Sequence, residues 1–146
     1  MIESIDEDNL KEVLPLIREY QEFYQVQDID DDRNQAFFSQ FGQSSEKGCL
    51  FGYRKGEKLV AFATVYFSYA SSITSKVGVM NDLFTKANNR RTGIATELIK
   101  HCEIYAKSQG AVRLQWLTSS TNKDAQSVYK SLGVNGSLWE LYTYAT

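Results

Sequence analysis

The stretch from Asn81 to Lys107, NDLFTKANNRRTGIATELIKHCEIYAK, constrains this chain more than any other. An extended segment meets a polar loop, and the loop opens directly into an amphipathic helix. At the junction stand Arg90, Arg91, Thr92, Gly93, Ile94 and Ala95. Glycine at that point permits a tight turn and a close approach of backbone to a ligand. The first turn of the helix leaves amide N–H groups without partners, and the helix dipole adds partial positive charge. Backbone donors beside two arginines make a cradle for a phosphate or pyrophosphate. The competing reading is an exposed loop with a glycine near a helix start, so the rest of the chain decides.

Composition narrows the field. A chain of 146 residues is long enough to bury a core as one domain, and we expect a single domain over residues 1–146. Sixteen basic against eighteen acidic residues give a net charge of −2, which argues against a nucleic-acid binder. Cys49 and Cys102 form no close-spaced metal motif, and with one histidine no metal site is expected. They read as free thiols in a reducing cytoplasm. No apolar run reaches membrane-spanning length, and the acidic start MIESIDEDNL does not resemble a signal peptide. The expectation is a cytoplasmic protein without a membrane partner.

Met1 to Ile5 reads as a short strand, and Asp6 and Asp8 offer N-cap chemistry to a helix from Leu10 to Val26. Leu10, Val13, Leu14, Ile17, Tyr20 and Tyr24 fall on one stripe, with Pro15 predicting a kink or short break. The acidic run Asp28 to Asp32 reads as capping for a helix near Asn34 to Phe41. Alternatively it is an acidic lip that attracts a cationic amine. Gly48 to Tyr53 and Leu59 to Phe67 read as an antiparallel hairpin around the turn Arg54 to Lys58. A small-polar linker, Ser68 to Ser75, precedes a strand from Lys76 to Thr85.

The helix after Gly93 carries Leu98, Ile99, Cys102 and Ala106 on one side, with His101 at the flank, and Gly110 suits its left-handed C-terminal cap. Val112 to Leu117 reads as a strand and Asn122 to Leu132 as a helix closed by Gly133. Ser137 to Tyr144 alternates in the manner of a last antiparallel strand. The order β-α-α-β-β-β-α-β-α-β predicts a mixed α/β sheet with helices packed on it.

Two motifs then coincide. Arg90-x-x-Gly93-x-Ala95 resembles the Gln/Arg-x-x-Gly-x-Gly/Ala pattern of the GCN5-related N-acetyltransferase (GNAT) superfamily. Downstream, Asn122-Lys123-Asp124-Ala125-Gln126-Ser127-Val128-Tyr129-Lys130-Ser131-Leu132-Gly133 matches each fixed position of that family's Asn-x-x-Ala-x-x-x-Tyr-x-x-Leu-Gly. Val134 departs from the phenylalanine that usually follows. The similarity is firm from Val77 to Val134, while the N-terminal half matches only in element order.

The resemblance implies a twisted, mostly antiparallel sheet with parallel central strands four and five splayed apart and helices on both faces. It implies acetyl-CoA as cosubstrate, held by backbone near Leu83 and Phe84, by Arg90 to Ala95, and by Asn122 and Tyr129. The implied reaction is direct attack of a primary amine on the thioester through a tetrahedral intermediate. Tyr129 matches the position that protonates the leaving thiolate, and Asp82 stands where many small-molecule members carry an acidic residue. Asp82 is then a general base, a counter-charge for the ammonium, or a structural carboxylate, and Glu140 is a weaker rival. Asn122 either contacts the pantetheine arm or only caps its helix.

Tyr20, Phe23, Tyr24, Asp28 and Trp139 are acceptor-site candidates, with core packing the competing role of the tyrosines. The implied acceptor is a free amine of a small molecule. The alternatives are a protein or peptide amine, or an acyl-CoA sensor without turnover. The phosphate loop of nucleotide-binding proteins fits poorly, because no Gly-Lys-Ser/Thr ending is present. Many members of the family pair through their C-terminal strands, which makes a homodimer the expected assembly, with Trp139, Tyr142 and Tyr144 at an interface or in the core.

Overall fold

A computed structural model describes residues 1–146. Five strands form one sheet in the order β1 (Ile2–Ser4), β2 (Gly48–Lys55), β3 (Lys58–Ala70), β4 (Ser75–Thr85) and β5 (Leu114–Gln115). The first four pair antiparallel, and β4 pairs parallel with β5. Strands β2 and β3 are nearly continuous apolar runs because helices cover both faces.

One face packs under α1 (Leu10–Phe23) and α2 (Asp31–Phe38), around Leu16, Ile17, Phe38, Leu50, Phe62 and Phe84. The other face packs under α3 (Ile94–Ser108), around Ala63, Val65, Met80, Leu98 and Cys102. Val128 and Tyr129 of α4 (Lys123–Ser131), with its C-cap residue Leu132, join that side. A side chain on Gly78 would come within 2.9 Å of Ala106 Cβ, so this glycine lets α3 lie close on β4.

Several local expectations change. Helix α1 runs through Pro15 without a break and ends at Phe23. Asn9 takes its N-cap position, and its side chain accepts from Asp6 N–H at 2.7 Å instead of capping the helix. Helix α2 begins three residues before the expected Asn34 because Asp30 caps it, accepting from Arg33 N–H at 3.0 Å. The supposed linker from Ser68 belongs to β3 as far as Ala70, and one turn of 3-10 helix (Ser71–Ile73) joins it to β4.

The largest correction lies at the C-terminus. Ser137 to Tyr144 forms no strand, and Leu138, Trp139 and Tyr144 are 95%, 84% and 94% exposed. The alternating pattern suits a pleated surface, but a strand also needs an edge to pair with. β5 has shrunk to two residues, and the chain beyond Gly133 finds no edge within the same molecule.

Candidate active site

The loop between β4 and α3 has the backbone its sequence demands. Gly93 sits at φ +86°, a left-handed conformation that disfavours any side chain. A Cβ built there meets no protein atom, so the space above the loop is open. Gly93 occupies the N-cap position of α3 without a side-chain cap, which leaves first-turn amides unbonded and facing outward. Arg91, at φ +62°, is the second left-handed residue of the loop. Arg90 behaves differently. Its Nε donates to the Thr85 carbonyl at 2.9 Å, and its guanidinium lies 5.5 Å from the Phe23 ring and 5.7 Å from the Phe84 ring.

β4 and β5 pair only at Gly78–Leu114 and Val79–Gln115, although β4 continues to Thr85. Beyond Val79 the strands therefore part. Lys86 N–H bonds the Val60 carbonyl, which makes Phe62–Phe84 a hydrogen-bonded pair and Ala63–Leu83 a non-bonded one. The amide of Leu83 thus faces the gap, while Phe84 commits its backbone to β3 and offers the gap only its ring. A bulge displaces Asn81, since Thr64 pairs with Asp82 and Val65 with Met80.

The gap opens into a cleft of about 630 Å³. Leu83, Phe84, Arg90, Arg91, Gly93, Ile94 and Ala95 line one side, and Asn122 and Tyr129 line the other. Asn122 also caps α4, accepting from Ala125 N–H at 3.3 Å. The half-buried Tyr129 ring stands edge-on to Trp116, with centroids 5.3 Å apart. Burial raises its pKa above the ordinary phenol value, a nearby Thr118 hydroxyl opposes this, and Tyr24 across the cleft adds to it. Tyr129 is therefore a protonated donor at neutral pH.

Asp82 lies on the α1 side of the sheet, two residues from Phe84 and on the same face. It is 5% exposed and accepts a short hydrogen bond from the Thr64 hydroxyl. Asn81 Nδ2 donates to its other oxygen at 3.3 Å. No cation pairs with it. Tyr20 and Tyr66 turn their hydroxyls toward it, and burial, reinforced by the carboxylate, raises both phenol pKa values.

Tyr20, Phe23 and Tyr24 line the cleft, and Asp82 sits just outside its wall. Asp28 does not line it; its carbonyl accepts from Arg33 Nη2 at 2.7 Å. Trp139 and Glu140 lie on the exposed C-terminal segment, away from the cleft. Met80, Trp116, Thr118 and Asn81 are cleft residues the sequence did not single out. Trp116, in the run expected as a strand but just past the end of β5, is the one locally visible signal among them.

A family model described as the acetyltransferase (GNAT) family matches residues 13–134, from within α1 to just past α4. This chain belongs to the GNAT acetyltransferase family. It is 29% identical over 121 residues to an uncharacterized N-acetyltransferase of Bacillus subtilis, YhfO, covering 83% of this chain and 80% of that one. It is 28% identical over 141 residues to the thialysine N-ε-acetyltransferase of Bos taurus, covering 91% and 82%. A solved structure described as a probable acetyltransferase superposes with a TM-score of 0.85 at 26% identity, over 100% of this chain and 97% of that one. Both GNAT motifs fall inside the matched residues, one on each wall of the cleft.

Proposed function

We propose that this GNAT enzyme moves the acetyl group of acetyl-CoA to a primary amine of a small molecule by direct attack. The observation that carries the reading is convergence on one cleft. The uncapped first turn of α3, the free Leu83 amide and the Tyr129 hydroxyl all face it. The amides from Arg91 to Ala95 suit a pyrophosphate, and Leu83 suits one amide of the pantetheine arm, in the manner of an added strand.

The neutral amine nitrogen forms the new C–N bond, and the tetrahedral carbon then expels the thiolate as the C–S bond breaks. Tyr129 supplies a proton to that sulfur. The amine's proton leaves toward Asp82 through water, or Asp82 holds the incoming ammonium as its counter-charge. Tyr24 forms the near wall of the acceptor site, and Asp28 adds negative potential at a distance. The thialysine-acetylating relative supports a small amine over a protein one.

The test is release of free coenzyme A thiol from acetyl-CoA across polyamines, amino acids, aminoglycosides and short peptides, with Tyr129→Phe as control. Turnover on a small amine that collapses in the variant supports the reading. Turnover on peptides alone moves the acceptor to proteins. Binding without turnover on any amine makes the chain an acyl-CoA sensor.

We also infer a homodimer in the cytosol. Its support is twofold: Leu138, Trp139, Leu141, Tyr142 and Tyr144 of the C-terminal segment stand exposed in one chain, and the sheet ends in the two-residue edge β5. A second copy offers that edge an antiparallel partner and covers the aromatic side chains, and it would bring Trp139 near a cleft.

A further inference from the structure

We propose that Arg90 is a positioning residue that ties the cofactor loop to the acceptor-side helix, and is not itself a phosphate ligand. The inference rests on the acetyl-CoA reading of the cleft and assigns a different role to its most prominent cation.

Three observations point the same way. The Arg90 guanidinium already has partners: the Thr85 carbonyl at 2.9 Å and the faces of Phe23 and Phe84. Thr85 is the last residue of β4 and Phe23 the last of α1, so one side chain touches the end of the sheet and the end of the helix. The loop has few other ties. At its start Lys86 N–H bonds the Val60 carbonyl, and Lys86 Nζ lies 3.7 Å from the Glu19 carboxylate of α1, an exposed pair. Past Lys86, the bonds from Asn89 to Lys86, from Arg90 to Ala87 and from the Thr92 hydroxyl to Asn89 close within the loop. Arg91 is exposed, as Arg90 is, but its side chain has no partner like the Thr85 carbonyl or the two rings, which leaves its charge for the ligand.

Chemistry favours arginine for this work. A planar guanidinium donates through Nε in its own plane while its faces rest on aromatic rings, which an ammonium cannot reproduce. Phe23 continues into Tyr24, which faces Tyr129 across the cleft. Arg90 thereby fixes the cofactor loop and the acceptor wall relative to each other.

Arg90→Lys separates charge from shape. Hydrogen exchange of the free protein should quicken at the bonded loop amides of Asn89 and Arg90 and also at Phe23 to Val26 in Arg90→Lys, with the global unfolding midpoint unchanged. Titration with coenzyme A should give a Kd roughly tenfold weaker for Arg90→Lys, as for loss of one charged hydrogen bond. Phe23→Leu should weaken binding in the same direction, and the double variant should be no worse than the poorer single one.

At raised salt, Arg90→Lys should keep the wild-type salt dependence of binding, whereas Arg91→Met should flatten it. Wild-type affinity in Arg90→Lys, or additive effects of the two single changes, would overturn the proposal and make Arg90 a plain phosphate contact. No binding by the wild type would overturn the cofactor reading itself; the exchange pattern of the free protein then decides the tie between loop and helix separately.

Discussion

The Thr64 hydroxyl donates to the Asp82 carboxylate across paired strands, directly beside the bulge at Asn81. This buried carboxylate has no cation beside it, and the hydroxyl and the two phenols that face it are the donors that offset the cost of taking its oxygens out of water. The adjacent cleft is where a cationic amine would complete the set. Asp82→Asn preserves shape and removes the charge. It should lower kcat/KM for the accepted amine by about 100-fold, as expected for losing a proton acceptor. A rise confined to KM would make Asp82 a counter-charge, and unchanged kinetics would leave it a structural group.

Tyr129→Phe should reduce kcat about 10- to 100-fold while leaving the Kd of coenzyme A within about twofold, because only the leaving sulfur loses its donor. Burial raises the Tyr129 pKa, so the acid form persists above the ordinary phenol value. No loss of rate attributable to this group is expected below about pH 10. A pH–rate profile of kcat measures both points, and a Tyr129-dependent fall near neutrality would contradict the assignment.

Gly93→Ala forces a Cβ into the left-handed conformation at φ +86°. The expected destabilisation is about 1–2 kcal/mol, read from urea denaturation. Because the added methyl meets only open space above the loop, coenzyme A binding should suffer more than folding does. Equal affinity in the variant would place the pyrophosphate elsewhere.

Burial lowers the pKa of His101, whose ring stands edge-on to Phe51 with centroids 4.6 Å apart. The unfolded chain therefore takes up the proton more readily than the folded one. Stability contributed by neutral His101 is complete above pH 6.5, its ordinary value, and declines as pH falls through the lower folded value. His101→Gln should flatten the pH dependence of the unfolding free energy between the folded value and pH 6.5. A slope unchanged in the variant would assign it to other groups.

Removal of residues 135–146 takes away the exposed aromatic segment and leaves every cleft-lining residue in place. Light scattering should give a dimer for the full chain and a monomer for the shortened one. A monomeric full chain would refute the homodimer, and a dimeric shortened chain would move the interface to another surface.

The sequence by itself determined the elements whose signals are local. The Gly93 turn and the helix behind it follow from glycine's freedom at positive φ and from apolar residues at helical spacing. Asn122 to Gly133 carries its own N-cap and left-handed stop, and the structure reproduces both. The hairpin of β2 and β3 was legible because its apolar runs are bounded by a charged turn. What only the tertiary structure decided depends on register and on partners. One extra residue in β4 makes the bulge at Asn81, sends Asp82 to the α1 face and turns the Leu83 amide into the gap. No local pattern announces such an insertion, because either register satisfies strand propensity. The direction of the Arg90 side chain was likewise hidden, since Phe23 and Thr85 come together only when α1 docks on the sheet. The alternation from Ser137 to Tyr144 expresses a need for a strand partner; which edge supplies it depends on where the rest of the chain, or a second one, comes to lie.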